Sequence, residues 1–279
     1  MAVPNTKVSA YIPCYNNAAT IAEAIRSLQG QTIKIDQIFV IDDGSTDNSA
    51  EIAGSCGVEV IRNDKNSGRG AIRAQAMQFA RNEFVLSLDA SKVISPLFLE
   101  HALVRFTDNV AAVYGRIILN HAENTTGRWA NRHIYNMCDM TGINRYALLV
   151  TAGCILRRSM VLQIGNFNSS YTHSEDRELG FRLLANKYEV VFDPALQVVD
   201  ARRKNLAAVL ETYWRWHAGA LDGGTFLTYL KQIAYSIKVL AVKDLQEGDP
   251  AAGIISLISP HYQWWRHQIW RLGKKGRTK

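Results

Sequence analysis

Acids and amides stand at three points of the sequence where a short apolar run stops. Tyr15 and Asn16 follow the first run, Asp42 and Asp43 follow the second, and Asp89 follows a later one. Side chains of these types can hydrogen-bond a polar ligand, and carboxylates can also bind a divalent cation. They can act together only if the fold brings them to one place.

The runs themselves predict that arrangement. Strands are predicted over Val8–Ile12, Gln37–Ile41, Val58–Ile61 and Phe84–Leu88, and helices over 20–30 and 71–81. This alternation predicts parallel strands joined by crossover helices. Ligands of such sheets bind beyond the carboxyl ends of the strands, which is where these polar residues stand.

A further acidic feature is the pair Glu175 and Asp176. Ser174 is the predicted N-cap of a helix that buries Leu179 and Leu183. Acids are also favoured at a helix N-terminus by the helix dipole, so capping alone explains part of this acidity.

Composition and motifs exclude several classes of protein. The chain has 279 residues, of which 47% are hydrophobic and 20% charged, and this is an ordinary globular composition. Its four cysteines form no C-x-x-C pair, so neither a disulfide framework nor a structural zinc site is expected.

No G-x-G-x-x-G follows the first strand and no P-loop is present. Ser67–Gly70 instead predicts a turn before a helix whose first amides can receive an anion. The N-terminus lacks the pattern of a signal peptide, so a cytoplasmic location is expected.

The C-terminal segment is apolar and basic. Apolar residues over 225–246 repeat in steps of four and three, as in an amphipathic helix, and six Lys or Arg with no acid lie between His261 and the C-terminus, among Trp264, Trp265 and Trp270. Packing on the rest of the protein and peripheral attachment to an anionic membrane surface both explain this pattern. The window Pro250–Trp265 falls short of a transmembrane helix, and nucleic acid is not an expected functional partner, since no recognition fold for it is evident.

In combination, six strings resemble the family-2 glycosyltransferases with the GT-A fold: VSAYIPCYNN, IDDGSTDNS, NSGRGAIRAQA, LSLDAS, GCILRRSMVLQIGNFN and SEDRELGFRL. The resemblance spans residues 7–219. It implies an α/β fold with a Rossmann-like, mostly parallel central sheet flanked by helices. A GT-A catalytic domain is expected at 1–219, with a donor half of about 1–110 and an acceptor half of about 111–219, followed by a helical C-terminal extension at 220–279.

The resemblance also implies a role for individual residues. Asp176 is the implied general base, which takes the proton of the acceptor hydroxyl, and Glu175 is oriented on acceptor or donor. Arg215 and Trp216 lie in a string similar to the Q-x-x-R-W motif of processive members, with Thr212 at the Gln position, and are implied to contact acceptor or diphosphate. An Asx turn at Asp42–Asp43, a solvated helix position for Arg73 and an ordinary packed helix at 215–216 remain alternatives. The implied donor-binding residues are Pro13, Tyr15, Asn16, Asp42, Asp43, Gly68, Arg73 and Asp89.

The metal motif departs from the family pattern. Family members usually show Asp-x-Asp, but here Asp89 is followed by Ala90, Ser91 and Lys92, and a hydroxyl is a poorer ligand for Mg²⁺ or Mn²⁺ than a carboxylate. Many relatives have a His where this chain has Asp200. Asp89 and Asp200 could hold the metal together with the donor phosphates. Alternatively, Lys92 with Arg202 and Arg203 could supply the positive charge without a metal, or the site could be inactive.

The resemblance therefore implies an inverting transferase that adds one sugar from a nucleotide-diphosphate sugar, with a UDP-sugar as the first expectation. The implied acceptor is lipid-linked or a glycan, in polysaccharide or glycolipid biosynthesis, and the implied location is peripheral on the cytoplasmic face of the inner membrane. A retaining GT-A transferase and a non-catalytic nucleotide-sugar-binding module are the alternatives, and the sequence leaves the oligomeric state open.

Overall fold

The computed structural model of the chain describes residues 6–120, 123–135, 142–202, 205–218 and 225–275. Strands in this part of the chain form one sheet, and they are β1 (Val8–Cys14), β2 (Gln37–Asp42), β3 (Glu59–Arg62), β4 (Phe84–Leu88), β5 (Lys92–Ile94), β6 (Val110–Leu119), β7 (Gly153–Arg157) and β8 (Glu189–Asp200). Their order across the sheet is β3-β2-β1-β4-β7-β6-β8-β5.

The first four strands form a parallel half, as the sequence predicts. β1 pairs in parallel with both β2 and β4, and β2 pairs in parallel with β3. In this register Cys14 lies opposite Asp42, so β1 and β2 end at the same edge of the sheet. The loops that carry the predicted donor-binding residues therefore start side by side.

The remaining strands make the sheet mixed. β7 is antiparallel to both β4 and β6, and the short β5 is antiparallel to the end of β8. The helices are α1 (Ile21–Gln29), α2 (Ser49–Ser55), α3 (Arg69–Phe79), α4 (Phe98–Leu103), α5 (Thr125–Ala130), α6 (Arg158–Gln163), α7 (Glu175–Ala185), α8 (Leu206–Ala218), α9 (Phe226–Tyr235), α10 (Val242–Gln246) and α11 (Pro250–Lys275). Two π-helical stretches lie at Asn131–Tyr135 and Ser236–Ala241.

The helices predicted over 20–30 and 71–81 form as α1 and α3, but two residues of N-capping type do not cap their helices. α1 buries one apolar face, from Ile21 to Leu28. Thr20 lies at the N-cap of α1 without capping it, because its hydroxyl donates to the carbonyl of Ala90 at 2.8 Å. The prediction that Ser174 caps α7 is wrong as well: Ser174 adopts a left-handed conformation, with φ of 62°, and its side chain makes no capping hydrogen bond.

The chain divides into two compact units. The first comprises residues 1–118 and 139–202 and contains nearly all of the sheet, and the second comprises residues 119–138 and 203–279 and is helical. In the second unit the predicted amphipathic helix at 225–246 is continuous except that residues 236–241 are π-helical, and Thr225 caps it by accepting a hydrogen bond from the amide of Thr228. Among the described residues, no helix is both long and apolar enough to cross a membrane. The domain boundaries expected from the sequence stay a prediction.

Candidate active site

The loops that follow β1 and β2 are joined by hydrogen bonds. The amide of Asn16 donates to the hydroxyl of Ser45 at 2.9 Å, and the side-chain oxygen of Asn16 accepts from the amide of Thr46 at 2.9 Å. Pro13, near the end of β1, is partly exposed, and Tyr15 in the loop is 46% exposed. The structure thus places Pro13, Tyr15 and Asn16 together at the carboxyl end of the first strand, with an exposed aromatic ring.

Asp42 and Asp43, at the end of β2, are both buried and bind the protein itself. Asp42 accepts hydrogen bonds from the amide and the hydroxyl of Ser45. Asp43 accepts from the amide and hydroxyl of Ser67, each at 2.8 Å, and from the amide of Gly68 at 3.0 Å. These bonds resemble the Asx-turn alternative for Asp42, and they make Asp43 the link between β2 and the start of α3.

Glycines shape the start of α3. Gly68 has a φ of 90°, a conformation that favours glycine, and its amide is the one bound by Asp43. A Cβ on Gly70 would lie 2.2 Å from the carbonyl oxygen of Asn168, and the amide of Gly70 donates to the carbonyl of Tyr171 at 2.9 Å. Both amides therefore have protein acceptors, and the predicted binding of an anion at Gly68 stays a prediction with this competing role.

Arg73 on α3 is the centre of the site. Its side chain is almost fully buried, which contradicts the alternative of a solvated helix position. Nε donates to Glu175 at 2.9 Å, Nη2 to Asp89 at 2.9 Å and Nη1 to the hydroxyl of Ser87 at 2.7 Å. Arg73 thereby joins the end of β4 to the first residue of α7, across 102 residues of sequence. Burial alone would raise the pKa of Asp89, but the charge of Arg73 and neighbouring cations lowers it below the ordinary value.

Three residues of this cluster were missed by the sequence reasoning. The hydroxyl of Tyr11, inside β1, accepts from Arg73 at 3.4 Å, and Ser87 donates onward to the carbonyl of Thr151 at 2.9 Å. All three are buried in or beside strands. A sequence signal existed only for Ser87, which is a serine at a buried position of the apolar run Phe84–Leu88.

Glu175 and Asp176 lie together at the N-terminus of α7. Glu175 is buried; its Oε1 binds Arg73, while its Oε2 has no hydrogen-bond partner among the described residues. Asp176 is partly exposed, and burial, followed by the adjacent charge of Glu175, raises the pKa of Asp176 to about 6. A carboxylate with a raised pKa is a stronger base than an ordinary aspartate and is still ionised at neutral pH.

The two residues proposed from the sequence as metal ligands are each paired with protein cations. Asp200, at the end of β8, binds Nζ of Lys92 at 2.8 Å and the guanidinium of Arg202 at 3.1 and 3.2 Å, while Asp89 binds Arg73. No group of three or more metal-ligating side chains occurs in the described part of the chain. Protein cations thus compete with a divalent metal for Asp89 and Asp200, and the role of these two residues as metal ligands stays a prediction. Arg203, named with them, lies outside the described residues.

Arg215 and Trp216 lie on α8, in the second unit. Both side chains are exposed, and the ring of Trp216 packs edge-on against Tyr135 at 5.6 Å. Their roles toward acceptor or diphosphate stay predictions.

Comparison with known proteins identifies the family. The model of the glycosyl transferase family 2 matches residues 9–164, which include β1 to β4, the Arg73 helix and β7. The chain belongs to glycosyl transferase family 2. This match confirms the family expected from the sequence strings.

Relatives and a solved structure extend the comparison. A pre-mycofactocin glycosyltransferase of Mycobacterium tuberculosis is 25% identical over 209 residues, which are 71% of this chain and 43% of that protein. The chain thus spans less than half the length of that relative. The WfaP protein of Escherichia coli, named a UDP-Glc:α-D-GlcNAc-diphosphoundecaprenol β-1,3-glucosyltransferase, is 25% identical over 235 residues, covering 81% of this chain and 83% of its own.

A mannosyltransferase from Pyrobaculum calidifontis, solved in complex with GDP-Man and Mn²⁺, superposes with a TM-score of 0.61 at 14% identity, covering 95% of this chain and 90% of its own. This likeness confirms the expected α/β GT-A fold with a helical C-terminal region, although the sheet is mixed rather than mostly parallel.

Proposed function

We propose that the chain is an inverting glycosyltransferase that moves one sugar from a nucleotide-diphosphate sugar to a lipid-linked or glycan acceptor. The observation that carries this proposal is the geometry at the start of α7. A partly exposed carboxylate of raised pKa, Asp176, stands next to Glu175, which is fixed by Arg73. The same Arg73 is fixed to Asp89 at the carboxyl end of the parallel strands, where the ligands of such sheets bind.

In the proposed reaction Asp176 takes the proton of the acceptor hydroxyl while the oxygen attacks the anomeric carbon from the side opposite the leaving diphosphate. Arg73 holds Glu175 and Asp89 in place and does not itself reach solvent, so it is a positioning residue. The unpartnered Oε2 of Glu175 supports the role of orienting a substrate hydroxyl, because a buried carboxylate oxygen ordinarily has a donor.

The proposed binding site for the nucleotide base consists of the exposed ring of Tyr15 and the hydrogen-bonded loops after β1 and β2. A UDP-sugar is the first donor to test. The relatives support a nucleotide-sugar donor, since WfaP is named for UDP-Glc and a diphosphoundecaprenol acceptor, and the solved mannosyltransferase holds GDP-Man. Which base and sugar this chain takes is decided by screening nucleotide sugars by thermal shift, because a ligand that binds only the folded state raises the Tm.

The stereochemistry of the product tests the mechanism. Once a donor is found, proton NMR of the first turnovers reads the configuration of the new glycosidic bond. Opposite anomeric configuration in donor and product supports the inverting mechanism, with Asp176 as the base. Retention would favour the alternative in which Asp176 only orients the acceptor. Donor binding with neither transfer nor hydrolysis would favour a non-catalytic module.

We also propose that the second unit attaches the protein peripherally to the cytoplasmic face of an anionic membrane. Within this unit α9 and α11 are in contact, with the rings of Tyr229 and Trp264 5.0 Å apart. The outward face of α11 carries exposed Ile254, Ile258 and Trp265, at steps of four and seven. Lysines on the α9–α10 segment and the basic end of α11 supply the positive charge that an anionic surface attracts.

Point variants test this attachment better than truncation, because Tyr262 and Arg266 on α11 bind Glu211 on α8 and help to hold the unit together. Ile258→Glu combined with Trp265→Glu should reduce flotation with phosphatidylglycerol vesicles. Val104→Glu, an exposed apolar residue of the first unit, is the control and should float like the wild type. Equal flotation of all three proteins would contradict the attachment.

A further inference from the structure

The carboxylate of Asp200 binds two protein cations, Lys92 and Arg202. Lys92 on β5 and Asp200 on β8 are directly opposite each other in the antiparallel pairing. Directly opposite residues in antiparallel strands have side chains close together on one face, so the register of the sheet itself builds the ion pair. The Lys92 side chain is only 5% exposed and that of Asp200 is fully buried, and the distance between Nζ and Oδ2 is 2.8 Å.

Arg202 completes this cluster at its outer side. Its Nε and Nη2 donate to the two carboxylate oxygens of Asp200, and its own amide also donates to Oδ1. The guanidinium side chain is 40% exposed. Asp200 therefore fixes a partly exposed cation at the surface while its other cation, Lys92, lies beneath.

The cluster borders the end of β4. The amide of Lys92 donates to the carbonyl of Asp89 at 2.8 Å, and the amide of Ala201 donates to the carbonyl of Ser91 at 3.0 Å. Lys92 is also among the cations that lower the pKa of Asp89. Arg202 thus directly follows Ala201, whose backbone contacts the loop between β4 and β5. This loop lies next to the proposed donor site.

Protein cations bind the carboxylates Asp89, Glu175 and Asp200. Three carboxylates are matched by three cations at hydrogen-bond distance, in the pairs Arg73–Asp89, Arg73–Glu175, Lys92–Asp200 and Arg202–Asp200. Divalent ions are bound by carboxylates with unneutralised charge, and here an ion would meet neighbouring cations instead. The incoming diphosphate is an anion that Arg202, a planar bidentate donor, is suited to bind.

We propose that Lys92 and Arg202, held by Asp200, take the place of a divalent metal, so that the donor diphosphate binds to protein cations and nucleotide binding needs no metal. Arg202 is the residue that contacts the diphosphate, and Lys92 is a positioning residue that neutralises Asp200. This inference rests on the proposed nucleotide-sugar donor, and it favours the metal-free alternative among the three that the sequence leaves open.

Calorimetry of the full chain with UDP and with GDP, in EDTA and in Mn²⁺, tests the inference. We expect the affinity of the nucleotide that binds to change by less than about threefold between the two conditions. Binding in Mn²⁺ that is lost in EDTA would overturn this inference and leave the proposed function standing. Absence of binding in both conditions would contradict both proposals.

Variants locate the effect. Arg202→Gln should weaken the binding of the nucleoside diphosphate about tenfold or more, while the binding of the free nucleoside stays unchanged, because only the diphosphate loses a charge-assisted contact. Arg105→Gln is the matched control: Arg105 is 37% exposed and binds the buried Asp193 on the same strand, β8, at 2.7 Å. Equal weakening by both variants, or none by Arg202→Gln, would overturn the proposed contact.

A gain of metal dependence is the complementary test. Ser91→Asp combined with Lys92→Asp removes the buried cation and adds two carboxylates beside Asp89 and Asp200. We expect this variant to bind Mn²⁺, as read by electron paramagnetic resonance, and to bind nucleotide more tightly with Mn²⁺ than in EDTA. A folded variant that binds no Mn²⁺ would contradict the claim that Lys92 takes the place of the metal.

Discussion

A buried carboxylate lies at the centre of a polar cluster in each of the two compact units, and the two clusters differ in how completely their acceptor atoms are used. In the second unit this residue is Asp244. Its Oδ1 is bound by Arg132 and by Nε2 of His133, and its Oδ2 accepts from the hydroxyl of Ser256 at 2.6 Å. Ser256 in turn accepts from the indole of Trp129 at 2.8 Å. Such a cluster is complete without any ligand.

In the first unit the corresponding residue is Glu175. Arg73 binds its Oε1, but Oε2 is buried with no partner among the described residues. The next residue, Asp176, is partly exposed with a raised pKa. The hydrogen-bonding groups of Asp244 hold helices together, whereas Glu175 and Asp176 retain hydrogen-bonding and proton-accepting capacity, as the proposed function requires.

The largest effect on stability is expected from Arg73→Met. It leaves the buried Glu175 and the partly exposed Asp89 without their cation, and removing one partner of a buried ion pair typically costs about 3–5 kcal/mol of unfolding free energy. Arg81→Met, at an exposed arginine just after the same helix, is the control and should change stability by less than about 0.5 kcal/mol. Urea denaturation of both variants measures this. A loss in Arg73→Met as small as in the control would mean that Arg73 does not hold the cluster together.

A smaller effect of opposite sign is expected from Asp176→Asn. The pKa of Asp176 in the folded state is raised from 3.8 to about 6, so the folded protein binds this proton more tightly than the unfolded chain does. The charge of Asp176 therefore destabilises the fold above about pH 6, by at most about 3 kcal/mol, and the penalty disappears as the pH falls toward 4. Asp176→Asn should raise the Tm at pH 8 and leave it unchanged at pH 4. A lower Tm at pH 8 would contradict a raised pKa.

The smallest of these effects is expected from Asp244→Asn. The amide keeps one acceptor but directs an N–H toward the Ser256 hydroxyl and removes the charge that Arg132 binds, which we expect to cost about 1–3 kcal/mol. The kcat/KM of transfer should stay within about twofold of the wild-type value, because Asp244 is not part of the proposed site. A large fall in kcat/KM with unchanged stability would contradict the comparison, because it would show that Asp244 contributes to the reaction.

The parallel half of the sheet could be predicted from the sequence for a local reason. Each of β1, β2 and β4 is a short apolar run that stops at turn residues or an acid, and this pattern needs no knowledge of the rest of the chain. The same rule placed Asp42, Asp43 and Asp89 at one edge of the sheet, and the resemblance identified the Glu175–Asp176 pair.

What could not be predicted depends on residues far apart in the sequence. The partners of Arg73 lie on β4 and α7, and Lys92 meets Asp200 only through the register of β5 and β8, 108 positions apart. Ser174 illustrates a second cause of error. Its residue type favours an N-cap, but the chain enters α7 through a left-handed residue, so its side chain makes no capping bond.

The most direct test of the account is the transfer rate of Asp176→Asn, measured beside its affinity for the nucleotide. We predict a fall in kcat of about 10²–10⁴-fold, because an amide cannot accept the acceptor's proton, with nucleotide affinity unchanged within a few-fold. Glu178→Gln is the control: this acid also lies in the first turn of α7 but binds Arg182 at 2.6 Å, and its variant should retain wild-type kcat. An Asp176→Asn protein that retains more than about a tenth of the wild-type rate would contradict the assignment of Asp176 as the general base.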